Sequence, residues 1–248
     1  MSWLRRSAAG AEALPEPAPS TPPPPPAEHP AAGLKHAVEH LPRPGASVLD
    51  LGPALAANVA FFNSLGARLR IADLDDEVDE VGLREASASV WERRVGELMR
   101  FRDDEKFDLI LAWDLPNYFG RERWPAVAAR LIPRLTESGC LHLLARVGAA
   151  MPADPCRYRI VDAGTVSEEM VTAGTLPAPR FPHAEVEKLH PGLVAPRSHL
   201  GKHGVQEYLL EPAAAHDLPP RRVAQARKRP RRTTAIRIPP PAPPSAGS

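Results

Sequence analysis

Val48-Leu-Asp50-Leu-Gly52-Pro53-Ala54-Leu-Ala56-Ala-Asn58 carries an apolar run into a turn of small residues and out into a helical pattern. The run Ala46–Leu51 predicts a buried strand, introduced by the turn signal Pro42-Arg-Pro-Gly45. Ala56–Leu65 predicts a helix with Val59, Phe62 and Leu65 on its apolar face, stopped by Gly66. Strand, small-residue turn, helix is the opening unit of a parallel sheet, and the sequence on either side extends it.

Downstream, Arg68–Ala72 reads as a second strand and Glu85–Arg100 as a partly exposed helix. Phe107–Trp113 is apolar at nearly every position and predicts a strand covered on both faces. Arg121–Leu135 follows as a helix with Trp124, Val127, Leu131 and Leu135 at helical spacing, and Gly139–Ala145 as a further strand. Beyond it, Ala184–Leu189 predicts a short helix, and Leu193–His199 and Val205–Glu211 predict two strands joined by a glycine-bearing turn. The expected fold is therefore α/β: a Rossmann-like, doubly wound, mainly parallel sheet with a C-terminal antiparallel hairpin at its edge.

Ligands of open parallel sheets bind beyond the carboxyl ends of the strands. Those positions hold Asp50 and Gly52, then Asp73, then Asp114, then Arg146. A strand-to-helix turn offers free N–H groups and the positive end of a helix dipole, provided its side chains are small enough for the backbone to approach an anion.

The segment Val48–Asn58 resembles the first motif of class I S-adenosylmethionine-dependent methyltransferases, hydrophobic–Asp–x–Gly–x–Gly–x–Gly. The resemblance implies S-adenosyl-L-methionine as cofactor. It would be held by Asp50, Gly52, Pro53, Ala54, Ala56 and Asn58, with Asp73 on the ribose hydroxyls and Trp113 or Tyr118 facing the sulfonium. Asp114, Asn117 and Tyr118, within Asp-Leu-Pro-Asn-Tyr118, fall where the family lines its methyl-transfer site, so they are the expected catalytic group. The reversed final strand of that family matches the C-terminal hairpin. The methyl acceptor is unspecified. Ala54 and Ala56 replace two of the motif's glycines and Pro53 removes a backbone donor, so a catalytically degenerate protein of the same fold, acting as a binding or scaffold module, is the alternative. A third reading, a nicotinamide-dependent enzyme, lacks the G-x-G-x-x-G spacing.

Composition sets the frame around this domain. The 248 residues carry a net charge of +1, but the distribution is uneven. Residues 219–248 hold eight basic side chains and no acidic one, and nine of the 31 prolines lie in Pro15–Pro30 with nine more in Pro212–Ser248. Residues 1–30 and 213–248 are thus expected to be disordered tails around a domain at 31–212. Arg221–Arg232, seven basic residues in twelve without an aromatic, suits weak, non-specific contact with nucleic acid or a solubilising tail. No run reaches the ~20 apolar residues of a membrane span. Nothing after Met1-Ser-Trp-Leu-Arg-Arg resembles the apolar core of a secretion signal, so a cytoplasmic location is expected. Cys140 and Cys156 have no metal-ligand spacing. His36-Ala-Val-Glu39-His40 matches an inverted zinc-protease pattern on a short helix without a third ligand, and no metal is expected.

Overall fold

The computed structural model describes residues 22–75, 87–201 and 204–216. The basic run 221–232 lies outside them, as does most of either tail. The described elements begin with β1 (Ala27–Pro30), α1 (Ala32–Glu39), β2 (Ser47–Asp50), α2 (Ala56–Ser64) and β3 (Arg68–Ile71). There follow α3 (Ala88–Leu98), β4 (Phe107–Leu111), α4 (Leu115–Leu131) and β5 (Leu135–Arg146). Four short strands come next: β6 (Ala150–Pro152), β7 (Arg157–Asp162), β8 (Thr165–Glu169) and β9 (Thr175–Pro177). The chain closes with α5 (His183–Leu189), β10 (Leu193–Leu200) and β11 (Val205–Pro212).

Six strands form the central sheet in the order β10-β11-β5-β4-β2-β3. Strands β3, β2, β4 and β5 are parallel, whereas β11 runs antiparallel to both β5 and β10. Alternation along β4 divides the core: Leu109 and Leu111 join the cluster under α1 and α2, while Ile110 and Ala112 join the cluster under α3, α4 and α5. Both faces are covered, which is why the β4 sequence is apolar at consecutive positions.

Several expectations shift. Helix α2 buries Asn58 and Phe62, while Val59 and Leu65 are only half-buried. Helix α3 buries Trp91 and Val95, leaving Val90 exposed. Helix α4 starts at Leu115, not Arg121, as two segments joined at Gly120 (φ 63°, ψ −169°), a left-handed conformation that glycine adopts without steric cost. Leu135, predicted as its last turn, is the first residue of β5.

The largest departure is a second sheet, β1-β8-β7, absent from the sequence-based expectation. Ala27–Pro30, assigned to the N-terminal tail, pairs with β8, and β7 pairs with β8 as a hairpin. Tyr158, Ile160 and Val166 from this layer join the core cluster of Val48, Leu109, Leu111 and Trp113. The small sheet therefore packs over the carboxyl ends of the central strands, where a ligand site was expected.

Candidate functional site

Asp50 ends β2 and is 1% exposed. Its Oδ1 accepts from the Gly52 N–H at 3.0 Å and from Trp113 Nε1–H at 2.6 Å; its Oδ2 accepts from Asn58 Nδ2 at 3.3 Å. Burial pushes the Asp50 pKa up, and these hydrogen bonds offset only part of that cost. Asn58 is fully engaged as well, donating to the Tyr158 carbonyl at 3.0 Å and accepting from the Ile160 N–H at 2.9 Å. A polar residue on the first turn of α2 thus pins β7 across the mouth of the β2–α2 turn.

Trp113 completes the closure. It sits just past β4 at φ 46°, a conformation that costs a bulky residue roughly 1–3 kcal/mol unless its surroundings fix it. Three contacts fix it: the bond to Asp50, a backbone bond from Leu144 N–H to its carbonyl at 2.7 Å, and a parallel stack on Tyr158 with ring centroids 5.2 Å apart. The indole lies so close over Gly52 that a Cβ there would meet Trp113 at 3.0 Å.

S-adenosylmethionine would need room over Gly52 and access to Asp50; Trp113 occupies the first and shares the second with Asn58. Pro53 is half-buried, and Ala54 and Ala56 are exposed. Asp73 follows β3 as expected and is exposed, with Oδ1 accepting from the Asp75 N–H at 3.0 Å in a local turn. In the described conformation the Trp113 indole covers Gly52, and Asp73 lies exposed after β3.

Of the expected catalytic group, Asp114 and Asn117 are buried and Tyr118 is half-buried. Asp114 is 1% exposed, and its Oδ2 accepts from Arg146 at 3.0 Å and from the Tyr158 hydroxyl at 2.8 Å. Arg146 also donates to Glu168 Oε1 at 2.7 Å. Burial raises the Asp114 pKa despite Arg146, whereas for Glu168 the opposing pull of Arg146 prevails and the pKa falls. Asn117 donates to the carbonyls of Asp114 and Leu144 and accepts from the Arg146 N–H. Tyr118 donates to the carbonyls of Pro152 and Asp154. Burial drives the Tyr118 pKa upward, so its hydroxyl stays a proton-bearing brace. All three side chains hydrogen-bond within the fold.

The open space lies beside this network. A cavity of about 420 Å³ sits between the small sheet, the start of α1 and the inner strands β5 and β11. Trp113, Tyr158, His29, His142, His199, Glu168 and Glu207 supply polar and aromatic lining, and Leu144, Val166 and Val205 apolar wall. Sequence reasoning missed Tyr158, Glu168, His142 and Glu207. A signal existed for the first two: alternating runs on either side of Asp162-Ala-Gly-Thr165 have the form of a hairpin. His142 and Glu207 lie inside strands read only as apolar.

Glu207 accepts from the N–H groups of Gly33 at 2.7 Å and Leu34 at 2.8 Å, capping α1 from across the sheet, and from His142 Nε2 at 2.7 Å. Burial works against its charge, yet the bonds from His142 and the helix outweigh it and lower its pKa. Among the described residues no cluster of three or more His, Cys, Asp or Glu side chains could hold a metal ion, and no helix is long and apolar enough to cross a membrane.

No family model matches the sequence, and no curated protein does. Solved structures do resemble it. The pyocyanin biosynthetic protein PhzM is 15% identical with a TM-score of 0.41, over 73% of this chain but only 54% of PhzM. A TehB-like SAM-dependent methyltransferase from Corynebacterium glutamicum is 12% identical over 73% of this chain and 87% of its own, with a TM-score of 0.41. The 1,6-didemethyltoxoflavin-N1-methyltransferase of Burkholderia thailandensis, solved with bound 1,6-didemethyltoxoflavin and S-adenosylhomocysteine, is 18% identical over 72% of this chain and 76% of its own, with a TM-score of 0.40. The activities in these names are those of the proteins that bear them.

Proposed function

We propose that this chain is a small-molecule-binding protein on a methyltransferase-type sheet, its first-turn cleft closed by its own side chains and its ligand seat moved to the neighbouring cavity. One observation carries the proposal: both carboxylate oxygens of Asp50 are taken by Gly52, Trp113 and Asn58, with the indole against Gly52. The adjoining cavity has the volume and the mixed apolar and polar lining of a small-molecule site.

Thermal unfolding tests it. A ligand at a hundredfold excess over its dissociation constant adds about 2.7 kcal/mol of stability, a rise of roughly 5–10 °C in Tm for a domain of this size. Millimolar S-adenosylhomocysteine and NAD are expected to leave Tm unchanged, whereas ring-containing fragments are expected to raise it and to shift the methyl resonances of Val166 and Leu144. A rise with S-adenosylhomocysteine would overturn the proposal.

That outcome would favour a second reading, methyl transfer from S-adenosylmethionine to an acceptor of unknown class. It is supported by a specific feature: the parallel β3-β2-β4-β5 order, with antiparallel β11 between β5 and β10 and Asp73 following β3. It requires β7 to release Asn58 and Trp113 to leave Gly52.

A further inference from the structure

The hydrogen bonds of the cavity wall decide what it accepts. Donors that line its interior are spent within the fold: Trp113 Nε1–H on Asp50 at 2.6 Å and the Tyr158 hydroxyl on Asp114 at 2.8 Å. His142 Nε2 meets Glu207 Oε1 at 2.7 Å, and its Nδ1 is buried out of contact with the cavity. His29 Nε2 lies 3.2 Å from Glu168 Oε2, and the N–H groups of Gly33 and Leu34 both go to Glu207. A hydrogen-bond acceptor carried inside exchanges its water for a wall whose donors are taken, whereas hydrocarbon gains by leaving water. Leu144, Val166 and Val205 supply the apolar contact.

The rim differs. His199, Leu200 and Gly201, at the end of β10, line the cavity and are exposed, Leu200 to 68%. His199 stands opposite Glu207 in the β10–β11 register, which puts both side chains on the cavity face of the sheet. Its imidazole therefore meets the cavity where the cavity meets solvent, and Leu200 adds apolar surface beside it.

Building on the binding reading above, we propose that the cavity takes a small amphiphile: a hydrocarbon body, free of hydrogen-bond acceptors, inside, and one oxygen-bearing polar end at the rim beside His199. Apolar burial supplies the affinity, and the spent donors set the orientation by excluding the polar end from the interior.

Two probes of one shape, added to the whole chain, test this: 4-phenylbutan-1-ol, and 4-(pyrimidin-5-yl)butan-1-ol, whose two ring nitrogens accept and cannot donate. The phenyl compound is expected to bind more than about tenfold tighter and to shift the methyl resonances of Leu144 and Val166. His199→Ala, a change at an exposed position, is expected to weaken that alcohol about fivefold and to leave butylbenzene, which lacks the hydroxyl, at its native affinity. Val205→Trp fills the cavity and is expected to abolish binding of both; if it fails to fold, Ala32→Trp at the exposed rim serves instead. Equal affinities for the phenyl and pyrimidine compounds, with those methyl resonances moving, would overturn the apolar interior and leave the binding reading standing. An alcohol no more sensitive than butylbenzene to His199→Ala would overturn the rim assignment. Binding that survives the filled cavity would overturn its location. No movement of the Leu144 and Val166 resonances with any probe would overturn both the inference and the binding reading beneath it.

Discussion

Trp113 Nε1–H lies 2.6 Å from Asp50 Oδ1, joining the ends of β4 and β2 across the point where a parallel sheet ordinarily opens to a ligand. The bond holds the indole on Gly52 and helps to satisfy a buried carboxyl.

Trp113→Phe keeps a ring to stack on Tyr158 and deletes the donor. A loss of about 1–3 kcal/mol is expected, measured by urea unfolding with an unchanged m-value. The pH dependence follows from the sign of the shift. The folded pKa of Asp50 is raised, so its contribution to stability is present at low pH and is lost as pH rises through the folded value. Removing a donor raises that value further, so the variant's deficit should be greater at pH 7 than at pH 4.

Arg146 is the cation for two buried carboxylates. Arg146→Met leaves Asp114 and Glu168 without it and removes a donor to the Tyr158 hydroxyl, so about 3–5 kcal/mol should be lost. Adding Asp114→Asn and Glu168→Gln to that variant should restore part of the loss, because the uncompensated charges are then gone. A triple variant no more stable than Arg146→Met would show that packing, not charge, sets the cost.

The central sheet was legible because double burial leaves a mark in sequence: Phe107–Trp113 has no polar alternation except Asp108, and its neighbours in the sheet read likewise. The small sheet left a weaker mark. Strands β1 and β8 are short and half-polar, and Ala27–Pro30 follows a proline run that reads as tail. Asp50, Gly52, Asn58 and Trp113 were expected around the cofactor and Asp114 in the catalytic group; in the structure Gly52, Asn58 and Trp113 bond to Asp50, while Asp114 bonds to Arg146 and Tyr158. Arg146 was placed at the same end of the sheet, but the partners Tyr158 and Ile160 were not readable, because they lie 44 to 102 residues away and meet these residues only through the tertiary fold. A motif gives the residue types at a turn; what fills the space above it is decided by distant chain.

His190 offers a test of pH dependence remote from the site. Trp124 Nε1–H donates to His190 Nε2 at 2.8 Å, so Nε2 must be unprotonated, and Nδ1–H donates to the Val186 carbonyl at 2.7 Å. Burial lowers the His190 pKa to about 4 from 6.5. Because the folded state resists a proton that the unfolded chain accepts, its contribution is complete above pH 6.5 and is lost as pH falls towards 4. That is about 3 kcal/mol over the interval. His190→Phe should remove this slope while costing about 1–3 kcal/mol at pH 7, where Trp124 loses its acceptor. An unchanged slope between pH 6.5 and 4 would assign it to other groups.

Gly33 and Glu207 make the sharpest prediction about how α1 is joined to the sheet. A Cβ on Gly33 would lie 2.7 Å from Glu207 Cδ, so the helix and the carboxylate approach this closely only because residue 33 has no side chain. Gly33→Ala should push the carboxylate off the N–H groups of Gly33 and Leu34 and cost about 1–3 kcal/mol, despite alanine's better helix propensity. Glu207→Gln should cost a similar amount at pH 7, since an amide supplies one acceptor where the carboxylate supplies two. Both losses remove the same contact, so the double variant should fall well short of their sum. Glu207 has a lowered folded pKa, so its contribution is present above the usual glutamate value of 4.5 and fades as pH drops below it. The gap between native chain and Glu207→Gln should therefore narrow from pH 5 to pH 3. Strict additivity in the cycle, together with a gap constant over that range, would mean that the carboxylate does not hold the helix.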